Sequence, residues 1–467
     1  MNDRSRRARS SVQPSRRAFL RSLGALSAAG VVSNLDLLGG FANVHAQAAD
    51  YKALVCVFLY GGVDGNSLVV PLDATGYGQY SAVRTAGSGI NLASSALHSI
   101  QPSSRATAFG LHPQLDELKT LFDQKKLAVL CNVGTLLRPT TKADYAAGRN
   151  RPSNLFSHSD QQSAWQAAVY DQTSRTGWGG RLADRIAYAN GTAEFPVVTS
   201  TAGITLFMTG NGGSPLSVPT SGNFGLQGYN TSNAANNARK AALLQLLDMD
   251  RGNLFVGTAA DIAGSAIDLS ATVNPILSST ASSIQSLFAG QTSSIAQQLL
   301  AVAKLIEARA ATGVKRQIFF VSVGGFDTHT NELSVLDNLL GDLSPALKAF
   351  YDATAQLGVA DGVTTFTLSD FGRTFKPAAG QGSDHAWGNH QFILGGAVKG
   401  GDFYGQYPTL QLGGPDDVTN EGRWLPTTAV DQYAATLATW FGLPAADLSV
   451  VVPTLANFPV QNLGFLA

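Results

Sequence analysis

Two short stretches of the chain concentrate groups that bind metal ions or move protons. They are Asp327-Thr328-His329 and Asp384-His385-Ala386-Trp387-Gly388-Asn389-His390. The whole chain has only seven histidines, and these stretches hold three of them. Neutral imidazole and carboxylate together suit Zn2+ or Mn2+. An Asp next to a His lets both side chains approach a cation from one turn. A lone His more often completes a hydrogen bond in a core, but this concentration reads as a metal centre. A third stretch, Asn154-Leu155-Phe156-Ser157-His158-Ser159-Asp160-Gln161-Gln162, offers hydroxyls, an imidazole and a carboxylate. A Ser near a cation can act as a nucleophile, because the cation lowers the hydroxyl pKa and stabilises the alkoxide. The plainer role for Ser157 or Ser159 is to cap a helix running through Trp165; the two roles are compatible.

Three buried-type strands must position these groups. Ala53–Tyr60 leads into Gly61-Gly62-Val63-Asp64-Gly65, Gln317–Val323 into Gly324-Gly325-Phe326-Asp327, and Thr364–Leu368 into Ser369-Asp370-Phe371-Gly372-Arg373. Segments of this length and kind read as buried parallel strands. Open parallel sheets bind ligands outside their strand carboxyl ends, so Asp64, Asp327 and Asp370 are expected to share one edge. One such Asp alone more often caps the following helix. Helices are expected at 113–124, 241–249, 295–311, 334–357 and 430–441, with further strands at 127–133, 195–198 and 392–398. Helix followed by buried strand marks an α/β protein. The Gly-, Ser- and Asn-rich residues 200–235 read as loops, and roughly 200–311 as a cap or insertion on a central α/β domain. The five tryptophans are scattered and read as core or pocket-wall residues. No internal repeat or coiled-coil heptad is present.

The 467 residues are 44% apolar and only 14% charged, which excludes a disordered or coiled-coil chain. Formal charge is zero, yet residues 1–48 carry +5, leaving the remainder at −5. A mildly acidic body excludes a nucleic-acid binder that works by phosphate neutralisation. The basic segment holds Ser15-Arg16-Arg17-Ala18-Phe19-Leu20-Arg21, an apolar stretch from Leu23 to about Val32, and Ala46-Gln47-Ala48. This is the layout of a twin-arginine export signal with a small-residue cleavage site. The mature chain is expected to start near Ala49 or Asp50 and to be periplasmic or secreted. Asn34 and Asp36 interrupt the leader's apolar run, and no later segment is expected to span a membrane. Cys56 and Cys131 both sit in strand-like runs as small core residues, and a disulfide between them stays open.

These motifs, taken in order, resemble the exported bacterial family known as domain of unknown function 1501, within the alkaline-phosphatase-like superfamily. The carriers are the twin-arginine leader, Tyr60-Gly61-Gly62-Val63-Asp64-Gly65-Asn66, Leu111-His112-Pro113-Gln114-Leu115, Phe156-Ser157-His158-Ser159-Asp160-Gln161-Gln162, Gly324-Gly325-Phe326-Asp327-Thr328-His329, Ser369-Asp370-Phe371-Gly372-Arg373-Thr374, the Asp384–His390 stretch and Gly395-Gly396-Ala397-Val398-Lys399-Gly400-Gly401. The resemblance implies a three-layer sandwich around a mostly parallel sheet. It also implies a hydrolase of phosphate or sulfate esters using divalent ions (Zn2+, Mn2+ or Mg2+), two of them in the superfamily's pattern. Carried over, Asp64, Asp384 and His385 would hold one ion and Asp327, His329 and His390 the other. Ser157 would be the nucleophile, with Ser159 second. Arg373 would fork onto the ester's non-bridging oxygens, unless it serves as an ion-pair partner. The match is inexact: only Thr328 separates Asp327 from His329 where the superfamily usually has three residues, and His390 follows the Asp-His pair closely. No Cys/Ser-x-Pro-x-Arg pattern follows the leader, so a formylglycine-type sulfatase is not implied. The alternative is a non-catalytic exported binding or assembly protein that keeps the fold.

Overall fold

The computed structural model describes residues 50–170, 173–220, 224–226 and 233–467. The leader, with its twin-arginine motif and cleavage site, lies outside the described residues. The strands are β1 (Lys52–Leu59), β2 (Val69–Pro71), β3 (His98–Ile100), β4 (Phe109–Leu111), β5 (Leu127–Gly134), β6 (Val198–Ser200), β7 (Leu216–Ser217), β8 (Arg316–Val323), β9 (Val363–Ser369), β10 (Asn389–Gly395), β11 (Asp402–Gly405) and β12 (Thr428–Ala429). Nine of them form one sheet in the order β11-β5-β10-β9-β1-β8-β6-β7, with β12 beside β5. Strand β10 pairs antiparallel with both β5 and β9, and every other pairing described in this sheet is parallel. Strands β2, β4 and β3 make a small separate sheet.

The longer helices are α1 (Ala74–Val83), α2 (Asp116–Asp123), α3 (His158–Ala167), α4 (Trp178–Ile186), α5 (Ala234–Asp248), α6 (Leu254–Ser278), α7 (Ser294–Glu307), α8 (Glu332–Gln356) and α9 (Val430–Phe441). Side chains alternate across a strand, and β1 shows where each face goes. Ala53, Val55, Val57 and Leu59 pack in one core with Leu118 of α2, Leu299 and Leu305 of α7, and Leu347 of α8. Leu54, Cys56 and Phe58 pack in a second core with Trp165, Leu182 and Leu437 of α3, α4 and α9. The architecture is therefore an α/β three-layer sandwich around a mostly parallel sheet, as the continuous apolar runs predict. Cys56 lies in the second core and Cys131 in the first, on opposite faces of the sheet, and both thiols are free. Three strand spacings, about 14 Å, also separate β1 from β5.

Some boundaries differ from the sequence reading. The strand expected at 392–398 runs from Asn389 to Gly395 and is antiparallel. The residues between the helices expected at 241–249 and 295–311 form α6, 25 residues long. By length and composition α6 meets the requirement for a membrane span, with mean hydropathy 1.2 over its most apolar window, which corrects the expectation that no later segment is long enough. Only 6% of that window is buried. Within the expected 200–311 insertion, α7 is an integral core helix, with Leu299, Val302, Leu305 and Ile306 buried. The part that stands out is narrower: α5 and α6 form a pair whose connecting end exposes Leu246, Met249, Leu254 and Phe255.

Candidate metal centre

The parallel registers set Leu59 beside both Val323 and Ser369, so β8, β1 and β9 end together. Their loops are tied at once: the Phe326 N–H donates to the Tyr60 carbonyl, and the Ser369 hydroxyl donates to the Leu59 carbonyl at 2.6 Å. The turn after β1 requires glycine twice. Gly61 has φ +114°, and a Cβ there would sit 2.4 Å from the Asp327 nitrogen; Gly62 has φ +81° and faces the Phe371 ring. Asp64, Asp327 and Asp370 therefore reach one edge. Because β10 is antiparallel, its N-terminal end opens at that same edge and brings Asp384 and His385 there.

Three imidazoles surround Asp327. His329 Nε2 lies 3.0 Å from its Oδ1, His385 Nε2 3.3 Å from the same oxygen, and His158 Nε2 3.3 Å from Oδ2. His329 and His385 Nε2 are 3.0 Å apart. His385 Nδ1 sits 2.8 Å from the Phe156 carbonyl, and a carbonyl can only accept. Its Nδ1 therefore carries the proton and its Nε2 presents a lone pair. His158 Nδ1 is held at 2.7 Å by Asp370 Oδ2, which Gln162 also donates to at 2.9 Å. That carboxylate–imidazole pairing is the usual way a metal-binding His is oriented. His158 Nε2 is buried and has no hydrogen-bond partner. Two ligand-capable groups result, His158–Asp327–His385 and His329–Asp384–His385. These residues fit a divalent ion: an orphaned buried nitrogen, converging lone pairs and an anchored outer layer. Three imidazoles with a carboxylate favour Zn2+ or Mn2+ over Mg2+, which prefers oxygen ligands.

Burial opposes the charge of Asp327, but Arg373, His158 and His329 outweigh it and hold the carboxyl below its usual range. Burial lowers the His385 pKa, with His158 and Arg373 adding to the effect. Burial raises the Asp370 carboxyl, against the hydrogen bonds of Gln162 and His158. Phe371 stacks on His385 at 4.6 Å and forms one wall.

Of the expected ligands, the structure brings Asp327, His329, Asp384 and His385 together. Asp64 and His390 belong to another set of contacts. Asp64 is fully buried and bound by the Arg84 guanidinium at 2.5 and 3.1 Å. A guanidinium thus meets the carboxylate expected to hold a cation. His390 accepts the Asn132 N–H on Nδ1 at 3.1 Å and stacks on Tyr407 at 4.8 Å, and burial lowers its pKa to about 4. Asp384 takes the His385 N–H on Oδ1 and Arg423 on Oδ2, each within 2.9 Å.

Arg373 does not fork outward. It is buried, with Nη1 2.8 Å from Asp327 Oδ1, Nε on the Ser383 hydroxyl and Nη2 on the Ser383 carbonyl. Ser157 precedes α3 at the capping position but its side chain makes no cap bond. Its hydroxyl donates to Asp160 Oδ2 at 2.5 Å, and Ser159 lies 3.2 Å away and 3.4 Å from the same carboxylate oxygen. Ser157 stands between Phe156, whose carbonyl anchors His385, and His158.

Sequence reasoning left His158 out of the ligand set, although it named the imidazole; the hydroxyls beside it drew the nucleophile reading instead. The roles of Arg84, Glu332 and Arg423 carried no local signal. Glu332 opens α8, buried beside Asp64, and burial first and the Asp64 charge second raise its carboxyl to about 8. Arg423 lies over the Phe156 ring at 4.8 Å and donates to the His385 carbonyl at 2.7 Å.

No curated protein matches the chain. Among solved structures it is similar to the lipoteichoic acid synthase LtaP from Listeria monocytogenes, at 9% identity and TM-score 0.33, covering 86% of this chain and 74% of that one. It is also similar to the PsFucS1 sulfatase from Pseudoalteromonas sp., at 9% identity and TM-score 0.36, covering 92% and 75%. A protein described as Ps i-CgsB matches at 9% identity and TM-score 0.34, covering 85% and 73%. The model of the protein family of unknown function DUF1501 matches residues 51–421, and the chain belongs to that family.

Proposed function

We propose that the chain is an exported, metal-dependent hydrolase of phosphate or sulfate esters, periplasmic or secreted after removal of a twin-arginine leader. The observation that carries the reading is the convergence of three imidazole Nε2 atoms on Asp327, with His158 and His385 anchored through their other nitrogens. His158, Asp327 and His385 would hold the ion, with His329 and Asp384 as a second set that shares His385. His385 has one free lone pair, so it serves one ion at a time, and the reading is a single centre instead of two. When bound, a divalent ion supplies Lewis acidity to an ester oxygen and favours ionisation of a nearby hydroxyl.

The chain's own residues have distinct parts. Ser157 is the proposed nucleophile, and Asp160 takes the hydroxyl proton along their existing hydrogen bond. Arg423 is the proposed partner of the ester's oxygens in place of Arg373: its Nε and Nη2 are held by the His385 carbonyl and Asp384, and its Nη1, with only a 3.4 Å contact to Thr419, is the donor left for substrate. The test is metal content per chain, beside His385→Ala, followed by screening phosphate and sulfate esters. One equivalent that falls in the variant supports the reading. No metal after addition of Zn2+, Mn2+ or Mg2+ overturns it.

A second reading, a non-catalytic binding or assembly protein, draws on one observation: the arginine expected to grip the ester, Arg373, spends its donors inside the protein. Metal without turnover on any ester would favour it.

A further inference from the structure

Apart from His158, the first residue of α3, the ligand residues come from two separate loops, 327–329 and 384–385. Each loop is flanked by a hydroxyl that turns inward. Thr328, between Asp327 and His329, donates to Glu332 Oε2 at 3.1 Å. Ser383, just before Asp384, contacts the same Oε2. The Ser383 hydroxyl also accepts Arg373 Nε at 3.2 Å, and Arg373 Nη1 holds Asp327 Oδ1 at 2.8 Å. One buried carboxyl oxygen thus joins both loops and closes a path back to the central carboxylate. Glu332 is fully buried and touches none of the ligand atoms. Its other oxygen, Oε1, lies 3.9 Å from Arg84 Nη1, and the carboxyl is also paired with Asp64. Backbone bonds run alongside: the Ser383 N–H donates to the Thr328 carbonyl, and the Glu332 N–H to the Gln381 carbonyl.

We propose that Glu332 is a positioning residue for the metal centre: it fixes the spacing of the two ligand loops and so sets metal affinity. The inference rests on the metal reading above. A side chain that only stabilised the core would not need one oxygen shared between these two hydroxyls. Outer groups that orient ligands typically change affinity by about 10- to 100-fold when removed.

The test measures Zn2+ affinity by competition with a chromophoric chelator, together with thermal unfolding of the chelator-treated protein. Glu332→Ala is expected to weaken Zn2+ binding by about 10- to 100-fold. Glu332→Gln keeps an accepting oxygen and is expected to restore most of it. Should Glu332→Ala fail to fold, Thr328→Val and Ser383→Ala carry the test, each weakening Zn2+ by a smaller factor at near-normal unfolding temperature. Leu305→Ala, in the core layer that α7 shares with β1, is the control: it lowers the unfolding temperature and leaves affinity alone. If the Glu332, Thr328 and Ser383 variants follow that control, the positioning role is wrong while the metal reading stands. If the wild type takes up no Zn2+, the metal reading itself is wrong and this role goes with it.

Discussion

Around Asp327 three imidazoles stand beside the Arg373 guanidinium; around Asp64 the compensating group is the Arg84 guanidinium alone. Both carboxylates follow parallel strands at one sheet edge. Asp327 remains half-exposed and its neighbours His158, His329 and His385 are partly open. Asp64 is sealed, its oxygens taken by Arg84 and Asn66, with His390 and His112 also buried nearby. Arg84 cannot be deprotonated in a protein, so the second cluster carries its cation permanently. The first cluster has a guanidinium too, Arg373 on Asp327 Oδ1, but adds three imidazoles that reach both oxygens of that carboxylate. The same residue type at equivalent strand ends is thus met by an arginine in both clusters, and the added imidazoles set the half-exposed Asp327 apart from the sealed Asp64.

The sharpest way to break the contrast is to delete one imidazole from each side. His385→Ala or His158→Ala is expected to abolish stoichiometric metal uptake, whereas His390→Gln retains it; elemental analysis of purified protein checks both. Equal loss in all three would merge the clusters into one site. Arg84→Met strands the buried Asp64 carboxylate. Loss of one partner of a buried pair costs about 3–5 kcal/mol, read by urea unfolding, and metal content is expected to hold.

The third prediction uses pH. Burial lowers His390 to about 4, below an unfolded value near 6.5. As pH falls, the unfolded chain takes up that proton first, so this contribution is full above about 6.5 and is lost towards 4. His390→Gln should lose about 3 kcal/mol less stability than wild type across that window. Parallel pH curves for the two proteins would contradict the neutral, buried state of His390. The smallest effect belongs to Asp370→Asn, which weakens the grip on His158 Nδ1 and should lower metal affinity by about tenfold. Asp64→Asn should leave that affinity alone.

Long buried strands were legible because β1, β5 and β8 carry apolar runs and β9 is rich in β-branched residues, and Gly61-Gly62 announced the tight turn after β1. The strand-end aspartates followed from that sheet. The antiparallel run of β10 was not legible, since an apolar run carries no direction. Nor was the split between the two clusters. Arg84 meets Asp64 from 20 residues away, and Glu332 meets Ser383 from 51; such pairings are fixed by tertiary packing and leave no local pattern. His390 was misread for the same reason: Tyr407 and the Asn132 N–H that occupy it are distant in sequence. His158 had a visible imidazole, but its role depends on Asp370, 212 residues on.

The placement of the two cysteines has a consequence for how opening of this protein can be watched. Burial raises both thiols, Cys56 and Cys131, far from the reactive range, and they lie in interior strands with the sheet between them. Oxidant and reductant therefore leave the native fold equally untouched, with no bond to make or break. A maleimide reagent reaches either sulfur only when its strand is released. Labelling at Cys56 clocks the opening of one half of the sheet, and labelling at Cys131 clocks the other. Equal rates would mean that the sandwich opens in a single event.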